Sequence, residues 1–110
     1  MIKGFSLRSA DTVVELGPGT GAFTGLILEG IGAQTTFIAM ELDAINARNL
    51  KRRFPRVMVY NEAAERIGQY LAFHGKRKVD YVICGLPWAS LPIPTQQSTL
   101  NAVLKSLSPN

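Results

Sequence analysis

The sequence contains few of the residues from which metal centres, disulfide frameworks and membrane spans are built. It has one cysteine and one histidine among 110 residues, Cys84 and His74. A lone cysteine cannot form an internal disulfide, and no group of His, Cys and Asp shows the spacing of a metal site or of a nucleophile with its base. No apolar run approaches the roughly 20 residues that a transmembrane helix needs. We therefore expect no bound metal, and hydrolase and metalloenzyme chemistry is not favoured.

The beginning of the chain also lacks the features of a secretory signal. Residues 1–6 contain no long apolar segment and no small-residue cleavage pattern, so we predict a cytoplasmic protein. Apolar residues make up 46% of the sequence and charged residues 18%, which is typical of a globular protein. A chain of this length can build one modest hydrophobic core. We predict a single domain spanning residues 1–110.

Acidic residues are fewer than basic ones, which gives the chain a formal net charge of +4. The basic residues include two short clusters, Arg48, Lys51, Arg52, Arg53 and Arg56, and Lys76, Arg77 and Lys78. Neither cluster is interleaved with aromatic residues, and a few basic side chains near helix ends are common in proteins that do not bind nucleic acid. We interpret both clusters as solvated surface charge and keep RNA binding as the alternative.

Apolar, β-branched segments alternate with segments of helical periodicity along the chain. The pattern predicts strands over residues 12–16, 35–42, 56–60 and 79–84, and helices over residues 22–31, 43–53, 63–73 and 96–107. Leu91-Pro92-Ile93-Pro94 is expected to be a stiff loop, and Cys84 a buried thiol in the fourth strand. Apolar strands that alternate with helices predict the α/β class, with a parallel sheet covered by helices on both faces.

The segment Glu15-Leu16-Gly17-Pro18-Gly19-Thr20-Gly21 follows the first predicted strand and opens the first helix. Its three glycines permit positive φ angles and leave room for a ligand against the backbone, while the helix start offers unpaired N–H groups. The spacing Gly17-x-Gly19-x-x-Ala22 also fits the dinucleotide fingerprint loosely. The glycines therefore predict a site for a polar or anionic ligand and leave its identity open.

Glu15 distinguishes between two types of cofactor. A carboxylate two positions before the first glycine would repel a diphosphate, whereas it suits a ligand that carries an ammonium and a sulfonium group. S-adenosylmethionine has both of these positive charges and no phosphate. Glu15 therefore favours S-adenosylmethionine and disfavours a nicotinamide-dependent oxidoreductase.

Acidic residues also follow the second and third predicted strands. Glu41 comes twenty residues after Gly21, at a strand end where a carboxylate can accept hydrogen bonds from both ribose hydroxyls. Asp43 is better placed to cap the helix that follows. Asn61, Glu62 and Ala63 come after the third strand, where Glu62 could accept from an adenine amino group, although the helix dipole explains a carboxylate at this position equally well.

The fourth strand leads into a rigid apolar loop at the same edge of the sheet, Gly85-Leu86-Pro87-Trp88. Trp88 would either line an acceptor pocket and contact a cationic amine, or pack in the core or at its rim, and the sequence supports both interpretations equally. His74, which precedes Gly75, is interpreted as a helix-terminal residue.

With the segments Val13 to Gly21 and Met40-Glu41-Leu42-Asp43 and the loop after the fourth strand, the sequence resembles the class I S-adenosylmethionine-dependent methyltransferases. Within that superfamily, Gly85-Leu86-Pro87 and Ser90-Leu91-Pro92 resemble the phospholipid N-methyltransferases and their relatives, the ribosomal RNA adenine dimethylases. The resemblance implies a Rossmann-like three-layer sandwich with strand order 3-2-1-4. It implies S-adenosylmethionine as cofactor, bound by Glu15, Gly17, Pro18, Gly19, Gly21, Glu41, Leu42, Glu62 and Ala63. It also implies a catalytic, acceptor-side loop formed by Gly85, Leu86, Pro87 and Trp88.

The chain departs from this family pattern in two respects. The RNA-modifying branch has Asn or Asp directly before the Leu-Pro or Pro-Pro step, where this chain has Gly85. That difference favours a phospholipid head group or another small amine over adenine as the acceptor, with peripheral membrane contact and without nucleic acid. The family's sheet also has seven strands, of which this chain supplies four, so we expect a partial domain that lacks the last three strands. Its fourth strand would be an exposed edge, and we expect self-association through that strand or the last helix. A cofactor-binding module without catalysis, and an RNA methyltransferase, remain the alternative functions.

Overall fold

Strands and helices alternate through the part of the chain that the structure describes, as the sequence predicts. The structure is a computed structural model that describes residues 7–77, 79–85 and 93–106. The elements are β1 (Thr12–Leu16), α1 (Thr24–Gly30), β2 (Thr36–Met40), α2 (Ala44–Arg53), β3 (Met58–Tyr60), a 3₁₀ turn (Ala64–Arg66) that continues into α3 (Ile67–Phe73), β4 (Tyr81–Cys84) and α4 (Ile93–Ser106). The four strands pair in the order β3-β2-β1-β4, and each pair is parallel. The predicted α/β class and the strand order 3-2-1-4 are confirmed.

The register of the strands brings all four carboxyl ends to one edge of the sheet. Leu16 lies opposite Met40 on one side and Cys84 on the other, and Met40 lies opposite Tyr60. Because the strands are parallel and end level with one another, the residues that come next share the same edge. These residues are Gly17, Glu41, Asn61 and Gly85.

Two hydrophobic cores cover the two faces of the sheet and give the molecule three layers. Side chains alternate between the faces along each strand, so Val13 of β1 packs towards α1 and α2, whereas Val14 packs towards α3 and α4. The first core contains Leu7, Ala10, Val13, Ile27, Ile31, Phe37, Ala39, Ala47, Leu50, Val57 and Val59. The second contains Val14, Leu16, Ile38, Met40, Ile67, Leu71 and Val79. None of the helices in the described residues combines the length and hydrophobicity of a bilayer-spanning segment.

Two details differ from the sequence-based expectation. Helix α4 begins at Ile93, so Ile93 and Pro94 are helical and do not belong to a loop, because the first turn of a helix tolerates a proline that has no N–H to donate. Cys84 is exposed and not buried, because it is the last residue of β4, which has a neighbouring strand on one side only within the described sheet. Self-association through this edge stays a prediction.

Substitution of glycine by alanine is expected to change the free energy of unfolding in opposite directions at Gly32 and at Gly68. A Cβ at Gly32, where the chain turns from α1 to β2, would lie 2.4 Å from the carbonyl oxygen of Arg8, whereas a Cβ at Gly68 in α3 meets nothing within 4 Å. We expect Gly32→Ala to lower the free energy of unfolding by about 1–3 kcal/mol, as overpacking does. We expect Gly68→Ala to raise it by up to about 1 kcal/mol through helix propensity. Urea denaturation measures both, and equal effects would contradict the packing at Gly32.

Candidate functional site

The glycine turn between β1 and α1 has the backbone conformation that the sequence predicts. Gly17, Gly19 and Gly21 have φ angles of 69°, 60° and 91°, which residues with a Cβ rarely adopt. The N–H of Gly17 donates to the carbonyl of Met40 in β2 at 2.9 Å, and the N–H of Gly21 closes the turn on the carbonyl of Pro18 at 3.0 Å. We call residues 17–21 the glycine turn.

The carboxyl-terminal half of α2 packs directly against this turn. A Cβ at Gly21 would lie 2.9 Å from Cδ2 of Leu50 and 3.0 Å from Cε2 of Phe54, so only glycine fits here without a shift. Arg53 donates from Nη1 to the carbonyl of Thr20 at 2.7 Å, and its guanidinium lies 4.9 Å from the centroid of the Phe54 ring. Arg53 was predicted to be solvated surface charge, and this prediction is wrong for this residue, because its guanidinium contacts the Thr20 carbonyl and the Phe54 ring.

Glu15 is a buried carboxylate without a cationic partner among the described residues. It is 1% exposed, and its Oε1 accepts a hydrogen bond of 2.6 Å from the hydroxyl of Thr24, which is itself fully buried in α1. Burial raises the pKa of Glu15 above its usual range and the nearby Glu41 carboxylate raises it further, whereas the Thr24 hydroxyl opposes the shift. A buried carboxylate with one described donor and no described counter-charge, two residues before the first glycine of the turn, is a candidate binding residue, and its predicted contact with a positively charged ligand stays a prediction.

Glu41, in contrast, has hydrogen-bond donors for both of its oxygens. Oε1 accepts from the N–H of Gly19 at 2.7 Å, and Oε2 accepts from the N–H of Asp43 at 2.9 Å. Asp43 caps α2 by accepting from the N–H of Asn46 at 2.9 Å, as predicted. Each carboxylate oxygen can accept a second bond, so Glu41 retains acceptor capacity for ligand hydroxyls. Its predicted contact with ribose stays a prediction.

The segment after β3 closes the site on the side of β2. The side-chain amide of Asn61 donates to the carbonyls of Glu41 and Leu42 at 3.0 and 2.8 Å, which holds the β2–α2 corner in place. Leu42 is 70% exposed at this corner, where an apolar face is available to a ligand. Glu62 lies 3.6 Å from Nε of Arg66 in an exposed ion pair, and Ala63 precedes the 3₁₀ turn in an extended conformation. The structure places all these residues at the predicted edge, and their contacts with adenine stay predictions.

Gly85 explains why the fourth strand can approach the glycine turn so closely. Its N–H donates to the carbonyl of Leu16 at 2.8 Å, and a Cβ at this position would lie 2.8 Å from the carbonyl oxygen of Gly17. A side chain at position 85 therefore requires the backbone of the glycine turn to move. Leu86, Pro87 and Trp88, the other predicted members of the acceptor loop, lie outside the described residues.

A cluster of aromatic residues beside the site was not foreseen from the sequence. The hydroxyl of Tyr60, the last residue of β3, shares a hydrogen bond of 2.6 Å with Nε2 of His74, and the rings of Tyr60 and Tyr70 have centroids 4.1 Å apart. Burial raises the pKa of Tyr60. His74 ends α3, as predicted, but the sequence separation of 14 residues gave no signal of its contact with Tyr60.

The arrangement of the sheet and the helices corresponds to a known fold. A parallel sheet in the order β3-β2-β1-β4 between two layers of helices is the Rossmann-like fold of the class I S-adenosylmethionine-dependent methyltransferases. The glycine turn after β1 and the buried Glu41 after β2 occupy the edge of the sheet where this fold class places its ligands.

Known methyltransferases resemble the chain in sequence and in structure. It is 30% identical over 112 residues to the ornithine lipid N-methyltransferase of Singulisphaera acidiphila, in a match that covers 99% of this chain and 58% of the relative. It is structurally similar to an O-methyltransferase of Bacillus cereus in complex with S-adenosylhomocysteine, with a TM-score of 0.74, 16% identity and coverage of 93% of this chain and 47% of that one. It is also similar to CalS10, an S-adenosylmethionine-bound amino pentose methyltransferase from Micromonospora echinaspora, with a TM-score of 0.70 and 17% identity. This match covers 92% of this chain and 40% of CalS10. The chain thus spans little more than half of the curated relative, and no family model matches it.

The raised pKa of Glu15 predicts how the stability of the protein depends on pH. An acid whose pKa is higher in the folded than in the unfolded state holds its proton longer when folded, so stability falls as pH rises from the ordinary glutamate pKa through the folded one. We expect Glu15→Gln to remove this fall and to be more stable than the parent protein at neutral pH, because Gln can still accept from Thr24. Urea denaturation across a pH series tests this, with the exposed Glu29→Gln on α1 as the matched control. Parallel pH curves for the parent and Glu15→Gln would contradict it.

Proposed function

We propose that the protein is an S-adenosylmethionine-dependent methyltransferase that methylates an amine of a lipid head group. The observation that carries the cofactor assignment is Glu15, a carboxylate that is 1% exposed and has one hydrogen-bond donor and no described cation near it. A buried carboxylate that is compensated only by a neutral hydroxyl is less favourable than a solvated one, and a ligand that brings positive charge to the glycine turn would reduce this penalty.

The residues at the sheet edge match the parts of S-adenosylmethionine in charge and hydrogen-bonding character. Glu15 and the glycine turn would hold the positively charged methionine portion, Glu41 the ribose hydroxyls, and Leu42, Glu62 and Ala63 the adenine. A diphosphate at the same turn would face the Glu15 carboxylate, which argues against a dinucleotide. The cofactor supplies an activated methyl group on its sulfonium sulfur, and the chain's own residues bind and orient it.

The proposed acceptor is a neutral amine at the end of β4. Methyl transfer to a deprotonated amine depends mainly on proximity and in-line orientation and needs no nucleophile–base pair. Gly85 supports a lipid amine over adenine as the acceptor. The carbonyl oxygen of Gly17 lies so close to Gly85 that there is no space for a side chain that could hydrogen-bond a nucleobase. The similarity to an ornithine lipid N-methyltransferase supports the same choice, and phosphatidylethanolamine and ornithine lipid are the two acceptors to test.

Cofactor binding is tested by calorimetric titration of S-adenosylhomocysteine with a matched pair of glycine variants. Gly19 and Gly75 have φ angles of 60° and 71°, and a Cβ at either position meets nothing within 4 Å. Both Gly→Ala substitutions therefore introduce the same backbone strain of about 1–2 kcal/mol, but only Gly19 lies in the glycine turn. We expect one saturable site, an affinity at least tenfold lower in Gly19→Ala and in Glu15→Gln, and no change in Gly75→Ala. An equal loss in both glycine variants, or binding of a dinucleotide in place of S-adenosylhomocysteine, would refute the proposed site.

The acceptor is tested by transfer of a labelled methyl group from S-adenosylmethionine. We expect incorporation into vesicles that contain phosphatidylethanolamine or ornithine lipid, and none into phosphatidylcholine, whose head-group nitrogen is already fully substituted, or into ribosomal RNA. Glu15→Gln should lower the incorporation at subsaturating cofactor at least tenfold, in proportion to its lower cofactor affinity. Cofactor binding without transfer to any lipid amine would overturn the acceptor while leaving the cofactor site intact.

A further inference from the structure

Helix α2 presents a row of exposed side chains on the side opposite the sheet. Ala47 and Leu50 pack in the core of the molecule. Four exposed residues follow the spacing i, i+3, i+4 and i+7 and so share one side of the helix. We call them the outer face of α2: Ile45, Arg48, Asn49 and Arg52.

The positive charges on and beside this face are not neutralised within the described part of the chain. Arg48, Lys51 and Arg52 are exposed and make no hydrogen bond or ion pair with the described residues. Arg53 and Arg56, the other members of the same basic cluster, donate to backbone carbonyls and have a structural role. The cluster therefore separates into two cations that hold the fold together and three that are available to a partner.

A cleft of about 380 Å³ lies between the outer face and the glycine turn. It is lined by Gly19, Thr20, Asn46, Asn49, Arg52 and Arg53. Its walls carry two guanidinium groups and two carboxamides and no carboxylate, so hydrogen-bond donors and positive charge predominate. Arginine forks match the geometry of phosphate oxygens, and the volume falls in the range of small-ligand sites.

Ile45 indicates which kind of anionic partner this surface fits. Its side chain is 68% exposed on the same face as Arg48 and Arg52. A nucleic acid would contact the basic side chains and gain little from an exposed aliphatic side chain. The interface of a lipid bilayer accommodates both the basic side chains, at its head groups, and the aliphatic side chain, at its acyl chains. The combination of aliphatic and basic residues on one helix face therefore favours a lipid surface.

We propose that the outer face of α2 docks the protein on an anionic lipid bilayer, with a head-group phosphate in the cleft beside the glycine turn and Ile45 at the acyl boundary. This inference rests on the proposed function, because the proposed acceptor is a lipid and therefore lies in a bilayer. Arg53 lines the cleft and also holds Thr20, so the docked phosphate would lie next to the segment that binds the cofactor.

The test is co-sedimentation with vesicles of phosphatidylcholine alone and of phosphatidylcholine mixed with phosphatidylglycerol. We expect binding to the mixed vesicles only, with an affinity that falls as salt is added. Each cation near an anionic surface contributes roughly a fivefold factor, so the triple variant Arg48→Gln, Lys51→Gln, Arg52→Gln should bind about a hundredfold more weakly. Thermal unfolding of each variant confirms that these exposed substitutions leave the fold intact.

Two single variants give the matched control. Arg52→Gln and Arg77→Gln each remove one positive charge, but Arg77 is exposed in the turn before β4, away from the outer face. We expect a clear loss of vesicle binding for Arg52→Gln and almost none for Arg77→Gln. Equal losses would mean that net charge alone drives binding and would overturn the proposed surface, as would failure to bind mixed vesicles at all.

Ile45→Ser separates a lipid surface from a nucleic acid surface. We expect it to weaken vesicle binding and to leave any binding of single-stranded or duplex RNA unchanged. RNA binding that depends on Arg52 but not on Ile45, in a protein that ignores vesicles, would assign the face to nucleic acid and refute the proposal. Titration of S-adenosylhomocysteine into Arg48→Gln distinguishes failure of the docking proposal from failure of the proposed cofactor site. We expect this variant to lose vesicle binding and to keep its affinity for S-adenosylhomocysteine.

Discussion

The geometry of the site depends on the two hydrogen bonds that the carboxylate of Glu41 accepts from backbone N–H groups. The carboxylate accepts from the N–H of Gly19 with one oxygen and from the N–H of Asp43 with the other, and so connects the glycine turn to the start of α2. The backbone of the same residue accepts from Asn61 and donates to the carbonyl of Tyr60. The glycine turn, the corner between β2 and α2 and the end of β3 thus meet at one nearly buried residue. Hydrogen bonds to a charged acceptor are stronger than those between neutral groups, which suits this residue to the task.

Glu15 and Glu41 are both buried, but they differ in the number of hydrogen-bond donors that replace the water lost on burial. Glu41 receives two backbone donors that compensate for the loss of water, whereas Glu15 receives one hydroxyl and lies close to a second negative charge. Glu41 therefore stabilises the structure of the site, whereas burial of Glu15 costs stability that the proposed positively charged ligand would offset. Such a division between a stabilising group and a strained one is common where a fold holds a binding site.

Much of the fold and part of the site follow from sequence patterns, because those patterns are local. Apolar strand segments, helical periodicity and the capping position of Asp43 depend on neighbours in the chain, whereas the strand order was predicted from the family resemblance alone. The contacts of Arg53 with Thr20 and of Tyr60 with His74 join residues 33 and 14 positions apart and leave no periodic signal. The start of α4 at Ile93 was missed because two prolines predict a loop as readily as the first turn of a helix.

The close approach of Gly85 to Gly17 also constrains how a protein of this kind can change over evolutionary time. A Cβ at position 85 would lie 2.8 Å from the carbonyl oxygen of Gly17, so the two positions are physically coupled across β1 and β4. A substitution at position 85 that introduced a side chain would displace the glycine turn unless the backbone near Gly17 changed as well. Under the proposed function, substitutions at these two positions are therefore epistatic, and the order in which they accumulate would decide whether each intermediate sequence keeps its cofactor.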